Sequence, residues 1–447
     1  MAAGVQQRNK FLTDTAADRH GQEKRWRAFA ERVLGADDEA RHDGGAGSRR
    51  WIACQRIDDP DVERARAQIA EDLANGATGL ALLFDGAPNA FGYGLPGTAE
   101  ALEQVLEGVP LDRIYLRIDV HPASRAMADW LVSLLSRGKV DPGRLNLSFG
   151  IDPAATFAGT GRLRMSIEAL QASMPQSLAH FFAMDLPGIL LEADGRVLHN
   201  AGASEAQELG VMLASAAGHL RLFEEARQAL VYAAPHIGFA LGVDDDVALS
   251  AAKIKALRVL WTRLQENFMI APAPAAIHAE TSMRIVERDD LAGNVARNAA
   301  ACSGAVAGGA DSIAVLPHTI GHGLPEGAAR RVALDIQMMM THHDVETSDD
   351  INVLTNNLAE QGWAEFQRIE QEGGILPSLR AGHIQSRVRA SAGKRLQLDA
   401  GERATLANAE GTVPTLAAER HSAPTDGVVF CEALHPLGMD AVGGDTP

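Results

Sequence analysis

From residue 51 onward the chain alternates short apolar runs with longer stretches of helical period. Eight runs stand out: WIACQRI (51–57), TGLALLF (78–84), RIYLRID (113–119), LNLSFGI (145–151), GILLEA (188–193), HIGFALG (236–242), AAIHAET (275–281) and SIAVLPH (312–318). They lack the strict apolar/polar alternation of a strand with one wet face, so each is expected to be covered on both sides, as in a parallel sheet. Between them the spacing predicts helices over 62–75, 124–137 and 244–267, the first two closed by Gly76 and Gly138 as C′ residues. Strand and helix in strict alternation, eight times over, predict an α/β fold closed as a (β/α)8 TIM-type barrel over residues 51–376. An open doubly wound sheet is the alternative reading of the same pattern.

The flanks read differently. Residues 1–50 are polar apart from a short amphipathic helix expected near 23–34, with Trp26, Phe29 and Val33 on one face. Two large aromatics on an isolated helix must be buried somewhere; this N-terminal arm is expected to bury them against a partner, with the barrel itself as the other host. After Gly373-Gly374 the chain turns Arg/Ala/Ser-rich. Residues 377–447 are expected to form an extended C-terminal arm, docked in part through Val428, Val429, Phe430 and Leu434.

Composition narrows the function. The formal net charge of −17 disfavours nucleic acid and anionic membranes as partners. No run approaches the roughly 18 apolar residues of a membrane span. Three separated cysteines, Cys54, Cys302 and Cys431, form no CxxC pattern, and no apolar secretory leader is visible; a cytoplasmic setting is expected.

Candidate chemistry sits where the strands end. The segment Asp119-Val120-His121-Pro122-Ala123-Ser124 approaches the D-x-H-x-x-G pattern in which imidazole ligates cobalamin cobalt, but Ser replaces the final Gly and the segment falls on the third strand. A βα loop whose Ser124 caps the next helix is expected instead. His318, His322, His342 and His343 have no carboxylate or thiolate at metal-ligand spacing, so no metal site is expected. Tyr93, on the Gly-rich loop after the second run, is either a proton donor or a turn residue. No GxSxG, Walker A or suitably placed GxGxxG is present.

Four segments together resemble the methylmalonyl-CoA mutase family, and within it the small-subunit branch. Arg49-Arg50-Trp51-Ile52-Ala53-Cys54-Gln55 is similar to the family's R-P-W-T-I-R-Q strand. Residues 195–203 (GRVLHNAGA) resemble the segment ending in A-G-A, and 251–258 (AAKIKALR) the A-K-L-R-A helix. Residues 278–325 complete the match. The resemblance implies an acyl-CoA mutase barrel whose catalytic members isomerise a CoA ester by a radical route with adenosylcobalamin.

The departures fall on the chemistry. Arg56 stands where catalytic members place a tyrosine, and Val197 where they place a histidine. Ala276 and Ala279 replace the arginine and serine of R-T-H-S-Q-T-S, and HDGG at 42–45 replaces Y-x-T-M. No cobalamin-binding domain is recognised. The resemblance therefore implies a non-catalytic small subunit. It would bind no cofactor itself and would stabilise a large catalytic subunit that carries adenosylcobalamin, in a heterodimer interconverting methylmalonyl-CoA and succinyl-CoA. The alternative is an active substrate-binding subunit that recruits a separate cobalamin-binding chain, for which Tyr93, His199, His236, His278 and Glu280 are the remaining candidates at the barrel mouth. An autonomous metal-dependent or aldolase-like barrel is the third class. Arg56 cannot lose its proton and needs an acidic partner if buried. Asp58, Asp85, Asp119, Asp152 and Glu280 are the carboxylates expected near it, as an ionic plug.

Overall fold

The structure is a computed structural model and describes residues 24–34, 51–138, 141–340, 350–402, 413–421 and 426–437. Its strands are β1 (Ile52–Ile57), β2 (Gly79–Leu82), β3 (Tyr115–Ile118), β4 (Asn146–Ile151), β5 (Arg162–Leu163), β6 (Ile189–Asp194), β7 (Ile237–Val243), β8 (Ala276–Thr281), β9 (Ser312–Ala314), β10 (Leu324–Pro325), β11 (Thr415–Leu416) and β12 (Val429–Phe430). Eight of them close a parallel barrel in the order β1-β2-β3-β4-β6-β7-β8-β9. Closure runs through the pairs Ile52↔Ser312 and Cys54↔Ala314. Every barrel strand coincides with one of the eight apolar runs.

Side chains alternate between the two faces of each strand. Phe239 of β7 points outward, with its ring edge-on to Trp261 of the helix Val247–Asn267 at 5.2 Å. Gln55 of β1 also points outward, to Asp72 and the Arg330 carbonyl on two surrounding helices. The inward set is unusual for such a barrel, whose interior is ordinarily packed with Val, Ile and Leu. Arg56, Ala81, Arg117 and Ser148 form one register row across β1 to β4. Ala240, His278 and Ser312 form another across β7 to β9. Small residues leave room along the axis, and charged ones fill it.

Helix starts follow local rules. Asp61 accepts from Arg64 N to cap Val62–Ala74, and Ser204 with Gln207 forms a full capping box on Glu205–Glu225. Gly76 closes its helix with φ +100°. Gly138 does not: it stays right-handed at φ −72°, so its backbone freedom is unused.

Three expectations need correction. Trp26, Phe29 and Val33 on the helix 24–34 are 3 %, 2 % and 0 % exposed and belong to the main core; the chain's own barrel hosts them. Within 377–447, residues His383–Glu402 form a helix rather than extended chain. Its apolar content is confined to Ile384, Val388 and Ala392, all buried and spaced by four residues. That narrow stripe among charged residues is easily read as none. The rest of the C-terminal segment is extended where described, and Val429 and Leu434 dock as expected. Beyond the ring of barrel helices, Asp350–Gln371 packs on Glu205–Glu225 and Val247–Asn267 as an additional outer layer. No helix among the described residues is long and apolar enough to cross a membrane.

Candidate functional site

The carboxyl ends of the barrel strands, where TIM barrels place their ligands, are occupied by buried charges. Arg56 Nε donates to Asp58 Oδ2 at 2.6 Å and its Nη1 lies 3.7 Å from Glu280 Oε2. Its Nη2 donates to the Asn89 carbonyl, and its guanidinium lies 4.8 Å from the centre of the Phe91 ring. Arg117 makes a two-pronged pair with Glu192, with Nη2 to Oε2 at 2.6 Å. Arg196, just past β6, donates to both oxygens of Asp119 at 2.9 and 2.8 Å and to Asp194 at 2.5 Å, and approaches Glu280 at 3.4 Å. Asn89 bridges Asp119 and Asp194 at 3.1 and 3.2 Å. Arg56, Arg117, Arg196, Asp119, Asp194, Glu192 and Glu280 are all at most 3 % exposed.

Five carboxylates thus face three guanidiniums, an excess of negative charge in a dry interior. The response is uneven. Burial alone would raise Asp119, but Arg196 and Arg117 beside it hold its carboxyl at about 2. For Glu192 and Glu280 burial outweighs the neighbouring arginines and their acidity is weakened. The pairing expected for Arg56 is present through Asp58 and Glu280. Asp85 instead offers its carbonyl to His121 Nε2 at 2.7 Å, and Asp152 caps Pro153–Thr160 while accepting from Asp194 N and Ser215 Oγ. Burial pushes Asp152 up to about 7.

The remaining candidates do not assemble into an open site. Glu280 belongs to the charge network. His278 faces the barrel axis in mid-strand, with Nδ1 2.8 Å from Ser312 Oγ, and burial drives its pKa well below the ordinary value. His199 is fully buried between Glu208 (2.9 Å) and Asp244 (3.0 Å). Lys253 and Arg284 complete that cluster at 2.6 Å from Glu208 and 2.5 Å from Asp244. The ring lies against β7 only because residue 242 is Gly, where a Cβ would stand 2.3 Å from His199 Cδ2. His236 lies at the opposite end of the barrel from the mouth, immediately before β7, with Nδ1 2.7 Å from the Gly188 carbonyl. The strand begins there rather than ending, which removes it from the mouth.

Tyr93 does stand at the mouth, beside β2, but Arg420 of the C-terminal segment covers it, Nε to hydroxyl 3.5 Å. Ala276 faces the axis by register with Gly238, whereas Ala279 pairs with Leu241 and Ile313 and points to the helices. Val197 is buried in the helix Arg196–Asn200. His121 has both ring nitrogens engaged, Nε2 at the Asp85 carbonyl and Nδ1 accepting from Ala123 N at 2.9 Å. Ser124 does not cap the next helix from outside; it is the first helical residue and donates to the His121 carbonyl. His322 meets the Arg288 carbonyl, while His342 and His343 lie outside the described residues. No group of three or more metal-ligating side chains is found among the described residues.

Arg117, Arg196, Asn89 and Asp194 are site residues that the sequence reading passed over. Their signal was present: Arg117 interrupts the apolar run YLRI, and Asp194-Gly-Arg196 follows β6. Charges at inward strand positions must find partners across the barrel. Above the network, Phe91, Met283, Leu316 and Ile320 form an apolar cap from three different strand-end loops.

Comparison with known proteins follows this geometry. The sequence model of the family described as methylmalonyl-CoA mutase matches residues 41–409. The chain is similar to the methylmalonyl-CoA mutase small subunit of Streptomyces virginiae, 32 % identical over 82 % of this chain and 58 % of that protein. It is similar to the small subunit of Propionibacterium freudenreichii subsp. shermanii at 30 % identity, over 75 % of this chain and 52 % of that protein. The large subunit of Streptomyces virginiae is more distant, 23 % identical over 80 % of this chain and 52 % of its own length. The chain spans about half the length of these curated relatives.

Proposed function

Because this chain belongs to the methylmalonyl-CoA mutase family, we propose that it acts as a non-catalytic small subunit that stabilises a large catalytic subunit. The complex would interconvert methylmalonyl-CoA and succinyl-CoA, with adenosylcobalamin held by the partner, in a cytoplasmic setting. The observation that carries the reading is the guanidinium–carboxylate network at the barrel mouth. A CoA ester seated on the axis would have to displace Arg56, Arg117 and Arg196 from carboxylates at 2.5–2.9 Å and strand those acids unpaired. Breaking one such buried pair costs about 3–5 kcal/mol. Reported names of relatives, small and large subunits alike, support the heterodimer.

The residues present do not fit the cofactor. His121, the one histidine in a cobalamin-like motif, has both ring nitrogens occupied, so no step is derived through cobalt. The alternative, an active subunit recruiting a separate cobalamin-binding chain, requires a proton donor open to the mouth. Tyr93, His199 and His278 are each covered or fully buried.

The test is co-expression with a large subunit from the same host. Co-elution of the two chains as a complex, with mutase activity retained when this chain's Tyr93 and His278 are replaced by Phe and Gln, supports the proposal. Loss of turnover with the complex intact, or no complex at all, overturns it.

A further inference from the structure

The C-terminal segment crosses the barrel mouth along a diameter. In the closed order of strands, β4 is fourth and β9 eighth, so they stand on opposite sides. The mouth loops that follow them carry β5 and β10. β12 pairs antiparallel with β5 through Val429↔Leu163 and Phe430↔Arg162, and β11 pairs with β10 through Leu416↔Leu324 and Thr415↔Pro325. Further backbone bonds tie the same segment to other mouth loops. His421 N donates to the Gly92 carbonyl after β2, Leu434 N to the Ala158 carbonyl after β4, and Leu437 N to the Asn200 carbonyl after β6, each at 2.8 Å. Arg420 lies over the Tyr93 ring at 5.7 Å.

These ties are of a particular kind. They are backbone bonds and two-residue strand pairings, and a ribbon that short is marginal by itself. Among residues 413–421 and 426–437 only Leu434 is buried. Val428 and Phe430 are 62 % and 58 % exposed. Beneath the segment lie Tyr93 at 8 % exposure and the apolar cap of Phe91, Met283, Leu316 and Ile320. A segment with few buried contacts opens at a lower free energy than the packed barrel under it.

We propose that residues 413–437 are a self-supplied lid that opens and closes over the barrel mouth without unfolding of the barrel, alternately burying and baring Tyr93 and the apolar cap. The charge network below remains in place in both states, so the lid governs access to the outer mouth only. The inference is independent of the role as a small subunit.

Hydrogen exchange followed by mass spectrometry on the full chain tests it. The amides of Leu416, His421 and Leu434 should exchange about 100-fold faster than those of β7 and β8, and Gly92 and Tyr93 should follow the lid. In a Cys431→Ser background, joining Leu163→Cys to Val429→Cys by oxidation should slow exchange of residues 90–95 relative to the same protein reduced. A chain ending at residue 412 should keep the barrel's protection and bind 8-anilinonaphthalene-1-sulfonate more strongly than the full chain. If the lid amides exchange only as slowly as the barrel strands, or if the oxidised lock leaves residues 90–95 unchanged, the lid does not exist. Should the shortened chain fail to fold, the oxidised and reduced lock still decides.

Discussion

Arg56 on β1 and Glu280 on β8 face each other at 3.7 Å across the intervening strand β9. Neither side chain reaches water, and each is held by a second partner, Asp58 for Arg56 and Arg196 for Glu280. Strand ends that are separated by more than two hundred residues in sequence are thereby tied into one charge network. An interior of this kind owes its stability to complete pairing: removing one member leaves the others desolvated and unmatched.

Arg196→Ala should lower stability by about 3–5 kcal/mol, because Asp119 and Asp194 both lose their main partner. Arg64→Ala serves as the contrast. Arg64 is 40 % exposed in its pair with Asp59, and its loss should cost about 1 kcal/mol or less. Urea unfolding midpoints measure both, and equal effects would contradict the network's role.

Stability should respond to pH through His219, buried against the Glu192 carbonyl at 2.8 Å. Burial lowers its pKa to about 4 from the ordinary 6.5. The folded state therefore keeps it neutral where the unfolded chain takes a proton, so its contribution is full above pH 6.5 and lost as pH falls towards 4. Asp152 acts in the opposite direction: with its folded pKa raised to about 7, its contribution is largest in acid and declines as pH rises through 7. The stability cost of His219→Gln should thus shrink by roughly 2–3 kcal/mol between pH 7 and pH 4.5. A cost that is flat across this range in chemical denaturation would refute the assignment.

Gly242→Ala should displace His199, since the added methyl would lie 2.3 Å from its ring. Overpacking of this type costs about 1–3 kcal/mol. The His199 ring also donates or accepts at Glu208 and Asp244, so its imidazole resonances in NMR spectra should shift as well. A variant with unchanged melting temperature and unchanged resonances would show that the ring can move freely.

Phe29→Ala should destabilise the isolated chain by about 3–5 kcal/mol, because Phe29 is 2 % exposed within the chain's own core. Thermal unfolding of the purified chain is sufficient to measure it. If Phe29 were instead reserved for a partner, the isolated chain would be indifferent and only the complex would weaken.

The sequence by itself determined the barrel. All eight strands were legible because a strand covered on both faces must be apolar along its length, and that requirement is written locally in runs such as TGLALLF and HIGFALG. The replacement of site residues at Arg56, Val197 and Ala276 was also legible, through resemblance to a family. What the tertiary structure alone decided was which side chains meet. Arg56, Arg117, Arg196, Asp119 and Glu280 come together only on closure of the ring. His236 and Ala279 were both plausible mouth residues until the chain direction placed one at the far end and the strand pleat turned the other outward. The helix 24–34 could have served a partner as well as the barrel, and the C-terminal segment carried no pattern strong enough to announce its path across the mouth. Local periodicity reports whether a face is buried; only the folded chain specifies against what, because contacts between distant segments have no signature in either one alone.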